Sequence, residues 1–161
     1  MITGKEDLLK ALIEAYLMEK GTNEFYAHAA EKAADAAAKK TFKDLSAWEE
    51  KHMEFIQYLY QSLEQDRDLQ GFEDFSRKTP SPLTEAGIPA KDLEKKLDKP
   101  EFTDDRGAIT LALEIEGKAF SLYRRLSEGA TDTNARVAFK EMMEQELKHV
   151  DYLKKLRDRL A

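Results

Sequence analysis

The sequence repeats itself. When the chain is shifted by 97 positions, residues 11–64 lie on residues 108–161 without a gap. Helix caps, aromatic residues and acidic residues keep their register in both copies; the identical pairs include Ala15/Ala112, Glu19/Glu116, Tyr26/Tyr123, Asp35/Asp132, Phe42/Phe139, Glu49/Glu146 and His52/His149. A gap-free repeat of this length predicts one supersecondary unit that occurs twice, with a pseudo-two-fold axis between the copies.

Each copy contains two segments with the periodicity of an amphipathic helix, and the alternation typical of β-strands is hard to find. The first segment starts at Thr3-Gly4-Lys5-Glu6, where the spacing of Thr3 and Glu6 is that of a capping box. Asp35 is placed to cap the second segment, and the third and fourth begin near Asp104 and Asp132. Short turns join the first helix to the second and the third to the fourth, so each copy is predicted to be an antiparallel hairpin.

The connection between the hairpins differs in composition. Glycine and proline gather between about residues 70 and 103, at Gly71, Pro80, Pro82, Gly87, Pro89 and Pro100. A helix of about 26 residues is about 40 Å long, and a connection of this length can run along the whole bundle and start the second hairpin at the far end. The 161 residues therefore predict a single all-α domain, a ferritin-like four-helix bundle with hairpin 1 at about 4–69, the crossover at about 70–103 and hairpin 2 at about 104–161.

Charged side chains interrupt the apolar stripes at the same level of all four helices. Each lies where the helical spacing points into the bundle, and they are Glu19, Glu49, His52, Glu116, Glu146 and His149. Moving an ionised carboxylate out of water costs several kcal/mol, and four of them would exceed the net stability of about 5–15 kcal/mol of a typical domain. No lysine or arginine occupies the stripes at this level, so metal cations are the expected partners.

The spacing also suits metal binding. A Glu and a His three residues apart lie on one helix face with Cβ atoms about 5–6 Å apart, as in Glu49/His52 and Glu146/His149. Two such pairs and two single glutamates give six protein ligands, enough for two metal ions with bridging carboxylates, and four carboxylates balance two divalent charges. Oxygen and imidazole ligands in a chain without cysteine favour iron or manganese, with zinc as an alternative in the purified protein.

The arrangement Glu19…Tyr26…Glu49-Glu50-Lys51-His52, followed by Glu116…Tyr123…Glu146-Leu147-Lys148-His149, closely resembles the rubrerythrin branch of the ferritin-like di-iron carboxylate proteins. One Glu from each of two helices and one Glu-x-x-His from each of the other two is the ligand set of that class. The resemblance implies two iron ions, with Glu49 and Glu146 bridging them and the other four residues as more terminal ligands. It also implies that Tyr26 and Tyr123 lie behind the ligands and hydrogen-bond a bridging carboxylate.

Two features depart from the family pattern. Full-length rubrerythrins carry a cysteine-ligated rubredoxin-like iron centre, whereas this chain has no cysteine, so its reductant has to be another molecule. Some rubrerythrins have an extra glutamate three residues before the ligand of the third helix, where this sequence has Leu113. Glu114 is nearby but off the stripe, and we expect it to face solvent. Trp48 adjoins Glu49 and could help to shield the site, but we expect it to have a packing role.

For function, the resemblance implies a non-haem di-iron oxidoreductase of the peroxidase type, which reduces hydrogen peroxide to water with electrons from an external carrier such as a rubredoxin-like protein. One alternative is a ferroxidase that uses dioxygen in iron handling. Another, from a different class, is a metal-free helical interaction module. A substrate oxygenase or desaturase on the same scaffold is also left open, because the sequence does not reveal a long substrate channel.

Charge and hydropathy narrow the set of partners. The 26 basic and 32 acidic residues give a net charge of −6, without a basic stripe for nucleic acid. No apolar run approaches the roughly 20 residues of a membrane helix, and the first residues lack the apolar core of a secretory signal. We therefore expect no nucleic-acid or membrane partner and a cytoplasmic location. We also expect a homodimer.

Overall fold

The computed structural model describes residues 4–64 and 104–161, together with residue 92. Four α-helices account for most of these residues: α1 (Lys5–Lys32), α2 (Ala36–Glu64), α3 (Asp105–Gly129) and α4 (Thr133–Leu160). Helix α1 packs against α2, α3 packs against α4, and α2 also contacts α4. The predicted all-α four-helix bundle is confirmed. The crossover predicted at about 70–103 lies outside the described residues.

Aspartate side chains begin three of the four helices, as predicted. Asp35 accepts hydrogen bonds from the backbone N–H groups two and three residues further on, at 2.8 and 3.0 Å. Asp104 and Asp132 each accept from the N–H three residues on, at 2.9 and 2.8 Å. The capping box predicted at the start of α1 is wrong. That box requires Thr3 at the N-cap position, whereas the helix begins one residue later. Gly4 occupies the N-cap position without a side-chain cap, and Thr3 lies outside the described residues.

Helix α3 starts at the end of the bundle where α1 ends. The Asp105 carboxylate accepts hydrogen bonds from the backbone N–H groups of Ala34 at 3.0 Å and Asp35 at 2.8 Å, both in the turn between α1 and α2. Helices α1 and α3 are therefore antiparallel. Glu64, where α2 ends, lies at the opposite end of the bundle from Asp104. This is the arrangement produced by a pseudo-two-fold axis that runs across the bundle and relates one hairpin to the other.

Two apolar clusters fill the bundle, one toward each end. The cluster nearer the turn between α1 and α2 includes Phe25, Phe42, Ile109, Ile115 and Leu153. The cluster at the other end includes Leu12, Ile56, Tyr123, Phe139 and Met142. Burying one such large side chain contributes about 1.5–3 kcal/mol, so these clusters can support a polar layer between them. None of the four described helices has the apolar stretch that crossing a lipid bilayer would need.

We expect the substitution Asp105→Ala to lower the free energy of unfolding by about 1–2 kcal/mol, because two backbone N–H groups lose their acceptor and the first turn of α3 loses a negative charge. Urea denaturation followed by circular dichroism measures this change. Asp158→Ala, at an exposed site in the last turn of α4, is the control and should change stability by less than about 0.5 kcal/mol. Equal effects of the two substitutions would contradict the role given to Asp105.

Candidate metal centre

The six residues singled out from the sequence lie together at mid-height of the bundle, between the two apolar clusters. The side chains of the four glutamates, Glu19, Glu49, Glu116 and Glu146, are 0 % exposed. The two histidines are slightly less buried, with His52 6 % exposed and His149 2 % exposed. The helical spacing explains why they converge, since each Glu-x-x-His pair occupies one face of its helix. All six positions that interrupt the apolar stripes therefore point inward.

One half of the centre surrounds His52. Its Nδ1 atom lies 3.4 Å from Oε1 of Glu19, 3.3 Å from Oε2 of Glu49 and 3.2 Å from Oε1 of Glu146. These carboxylates come from α1, α2 and α4, so three helices meet at a single imidazole nitrogen. The four residues offer potential ligand atoms that all lie within 4.8 Å of one another.

The other half surrounds His149 in the same way. Its Nδ1 atom lies 3.2 Å from Oε1 of Glu49, 3.3 Å from Oε1 of Glu116 and 3.3 Å from Oε2 of Glu146. The ligand atoms of this group also lie within 4.8 Å of one another. Glu49 and Glu146 belong to both halves, because each presents one carboxylate oxygen to each imidazole. Glu19 faces only His52 among the two histidines, and Glu116 faces only His149.

These donor atoms fit metal ions better than they fit one another. Buried atoms without a hydrogen-bond partner of suitable geometry include both oxygens of Glu49 and Glu146, Oε2 of Glu19 and Glu116, and Nδ1 of both histidines. One N–H group cannot donate to three oxygens that lie in three directions. A tetrahedral ion with bonds of about 2.0–2.2 Å separates neighbouring ligand atoms by about 3.3–3.6 Å. The observed separations of 3.2–3.4 Å agree with that spacing, so the residues could hold two cations.

Without a cation, the centre compensates its charges with protons. Burial and the neighbouring carboxylate of Glu49 raise the pKa of Glu19, and burial and the carboxylate of Glu146 raise that of Glu116. Burial alone would lower the pKa of each imidazole, but the surrounding carboxylates outweigh it and raise the pKa of His52 far above its usual range. His149, with Glu116 as its strongest carboxylate neighbour, shows the same net rise in pKa.

The two shared carboxylates behave in the opposite way. Burial and the charge of Glu146 act to raise the pKa of Glu49, but the proton held by Glu19 and the charged imidazoles lower it to about 2. Burial likewise opposes ionisation of Glu146, yet the facing Glu116 and both imidazoles hold its pKa well below the usual value. In the absence of a metal ion, these opposite pKa shifts favour ionised Glu49 and Glu146 facing two protonated imidazoles.

Two tyrosines connect the hairpins at the centre. The Tyr26 hydroxyl on α1 donates to Oε1 of Glu116 on α3 at 2.5 Å, and the Tyr123 hydroxyl on α3 donates to Oε1 of Glu19 on α1. The expectation that these tyrosines hydrogen-bond a bridging carboxylate was wrong. Each tyrosine lies two helical turns, about 10 Å, from the glutamate of its own helix, and the antiparallel neighbour brings the other glutamate within reach. Each tyrosine therefore orients a glutamate that faces one imidazole.

An aromatic contact at this site was not identified from the sequence. The Trp48 ring stacks on the His149 imidazole, with centroids 5.4 Å apart and planes inclined by 19°. Tyr152 meets the same indole edge-on at 5.0 Å. The prediction of a packing role for Trp48 is thus incomplete, because its ring also stacks on His149, a residue of the centre. The repeat did not indicate this contact, because the positions equivalent to Trp48 and Tyr152 hold Gln145 and Phe55. The sequence feature that pointed to it is the spacing of Tyr152, which follows His149 by three residues and so lies near it on the same helix.

The position at which some rubrerythrins carry an additional glutamate is apolar here. Leu113 packs against the core cluster nearer the turn between α1 and α2. The Glu114 side chain is 51 % exposed and pairs with Lys118 on the surface, with Oε1 and Nζ 3.5 Å apart. The prediction that Glu114 faces solvent is confirmed, and this residue adds no ligand to the centre.

Comparison with known proteins agrees with this architecture. The family model described as rubrerythrin matches residues 10–157. The fold is similar to that of a two-domain protein from Anabaena variabilis containing DJ-1/ThiJ/PfpI-like and ferritin-like domains, with a TM-score of 0.76, 19 % identity, and coverage of 99 % of this chain and 41 % of that chain. The chain thus spans less than half of that protein, and no curated protein matches it. Since the family match extends over nearly all of a ferritin-like four-helix bundle, the chain belongs to the rubrerythrin family.

Proposed function

We propose that this protein is a di-iron oxidoreductase that reduces hydrogen peroxide to water with electrons from an external carrier. The observation that carries the proposal is the pair of overlapping ligand groups in the buried centre. One ion would be held by Glu19, Glu49, His52 and Glu146, and the other by Glu49, Glu116, Glu146 and His149. Glu49 and Glu146 would bridge the ions, because each offers one oxygen to each half.

The donor set and its charge support iron as the resident metal. Carboxylate oxygens and imidazole nitrogens suit iron or manganese, and membership of the rubrerythrin family favours iron between the two. Two divalent cations would balance the four buried carboxylates and leave both imidazoles neutral. Such a centre is more easily buried than the same side chains without cations, because paired charges cost less to remove from water than unpaired ones.

A pair of ferrous ions held by these residues would supply two electrons together, as the reduction of peroxide to two water molecules requires. The protein provides orientation and limited access. Tyr26 and Tyr123 fix one carboxylate on each side, and the glutamates are closed off from bulk water. Small molecules can approach the centre from the side on which the two histidines lie. One surface groove reaches His149 and another reaches His52, and Trp48 and Gln145 line both of them. A small, uncharged oxidant such as hydrogen peroxide or dioxygen can reach the imidazoles through these grooves.

We propose an external molecule as the reductant. The chain contains no cysteine and so cannot supply the thiolate ligands of a rubredoxin-type iron centre. A small one-electron carrier such as a rubredoxin-like protein would therefore deliver electrons one at a time from outside. The surface grooves beside the histidines are the shortest approach for such a carrier, since the glutamate side of the centre is fully enclosed.

We expect Glu49→Ala and Glu146→Ala each to reduce bound iron from about two ions per chain to one or fewer, because each removes a ligand shared by both sites. Elemental analysis after anaerobic reconstitution with ferrous iron measures this. Glu50→Ala, at the exposed neighbouring position, is the matched control and should bind iron like the unaltered chain. Circular dichroism checks folding of each variant. Unaltered protein that folds and binds no metal would favour the interaction module instead.

Metal binding should release between about two and four protons per chain at pH 7. In the metal-free form the raised pKa values of His52 and His149 keep a proton on each imidazole, and those of Glu19 and Glu116 favour a proton on each carboxyl. Cations require these atoms to be unprotonated, so metal affinity rises as the pH rises. Calorimetric titrations in buffers of different ionisation enthalpy count the protons. Binding without proton release would contradict the described electrostatics.

The reduced, iron-loaded protein should be oxidised at least about tenfold faster by hydrogen peroxide than by dioxygen at equal concentration. Anaerobic stopped-flow mixing with each oxidant, followed by the absorbance of the oxidised centre, measures the two rates. Glu146→Ala is the control for iron bound elsewhere and should show neither fast phase. Faster oxidation by dioxygen, with release of ferric iron, would favour the ferroxidase alternative.

A further inference from the structure

Aromatic rings in contact lead from the metal centre to the surface. The His149 imidazole stacks on Trp48, with centroids 5.4 Å apart, and Trp48 meets Tyr152 at 5.0 Å with planes inclined by 61°. Both contacts are within the range of direct aromatic packing. His149, Trp48 and Tyr152 also line one solvent-open groove. Electrons pass readily between aromatic rings in contact, so these three side chains connect the buried centre to molecules in solution.

The outer end of this connection has a proton acceptor. The Tyr152 hydroxyl donates to Oδ2 of Asp44 at 2.6 Å, and Lys40 Nζ contacts the same oxygen at 2.7 Å. The hydrogen bonds from Lys40 and Tyr152 lower the pKa of Asp44, so it is a carboxylate at neutral pH. Burial and the bond to Asp44 raise the pKa of Tyr152, so it is a neutral phenol. A neutral phenol that is hydrogen-bonded to a carboxylate loses an electron more easily, because its proton has a place to go.

The repeat supplies an internal comparison for this arrangement. The six residues of the centre form three identical pairs 97 positions apart, but Trp48, Tyr152, Asp44 and Lys40 have no identical counterpart. The positions equivalent to Trp48, Tyr152, Asp44 and Lys40 hold Gln145, Phe55, Glu141 and Val137. Trp48 also lines the groove beside His52, but the residues that take the places of Trp48 and Tyr152 there are Gln145 and Phe55, and neither has a readily oxidised ring. The connection is therefore separable from metal binding, which uses residues common to both halves.

We propose that Tyr152 is a one-electron donor to the metal pair through Trp48 and His149, and that Asp44 accepts the phenolic proton when the electron leaves. The inference rests on the proposed function, in which hydrogen peroxide is the oxidant. Peroxide takes up two electrons and two protons to form two water molecules. When the centre holds only one reducing equivalent, Tyr152 supplies the second. A neutral tyrosyl radical remains beside the groove. An external one-electron reductant then supplies the electron and Asp44 returns the proton, which restores the phenol.

The first test needs no metal. Trp48 is the single tryptophan of the chain, and azide radicals made by pulse radiolysis oxidise tryptophan preferentially. In the metal-free full-length chain, the Trp48 radical should decay as a tyrosyl radical rises, because Tyr152 returns an electron to the indole. In Tyr152→Phe this conversion should slow by at least about tenfold. Asp44→Asn, which keeps the shape but weakens the base, should slow it as well.

Tyr58→Phe is the matched control for this experiment. Tyr58 is a tyrosine on α2 that is 63 % exposed, outside the contacts described for Trp48, and its removal should leave the conversion unchanged. Circular dichroism and metal content confirm that each variant keeps the fold and the centre. Conversion at the same rate in Tyr152→Phe and in the unaltered chain, or no conversion in the unaltered chain, would overturn the proposal.

The second test asks whether Tyr152 donates an electron to the iron-loaded centre. Iron-loaded protein reduced by one electron per chain is mixed with peroxide and frozen, and electron paramagnetic resonance should show a tyrosyl radical. The radical should be absent in Tyr152→Phe and strongly reduced in Trp48→Phe, with iron content unchanged in both. Consumption of peroxide without this radical would overturn the inference and leave the proposed function intact. Failure of the unaltered protein to consume peroxide would overturn both.

Discussion

The burial of four carboxylates and two imidazoles in one interior is the constraint on which the rest of the bundle depends. Ionised carboxylates that leave water cost several kcal/mol each, and the glutamates of this centre are fully enclosed. In the metal-free form protons and imidazolium charges compensate them, while an apolar cluster on each side holds the helices together. The tyrosines add to this by linking α1 to α3 at the level of the charges.

The repeat makes the centre symmetrical, and the surface around it breaks that symmetry. Each half has its own imidazole and its own unshared glutamate, and both halves share Glu49 and Glu146. On the outer side, Trp48 covers His149, whereas the equivalent Gln145 leaves His52 with a higher exposed fraction of 6 %. Two sites with nearly the same ligands thus differ in their contact with solvent and with oxidisable rings. In the proposed function, where electrons arrive singly and leave in pairs, this difference would let the two sides of the centre take different roles.

Much of the architecture could be predicted because it depends on local spacing. Caps such as Asp35 and Asp132 act within three residues along the chain, and the interruptions of the apolar stripes at Glu19 and Glu116 follow from the periodicity of single helices. The capping box at Thr3 was wrong because a shift of one residue in the helix start removes it. Occupancy of the centre by metal remains a prediction, since it depends on binding as well as on placement.

The sequence by itself determined the helices, the repeat and the six side chains that point inward, because each of these follows from the helical period along one chain segment. Only the tertiary structure decided which carboxylate oxygen faces which imidazole, that Tyr26 and Tyr123 bond to the glutamate of the opposite hairpin, and that Trp48 lies on a histidine of another helix. The tyrosine and tryptophan contacts join residues from 90 to 104 positions apart and depend on the register of packed helices. Spacing within a single helix carries no information about that register.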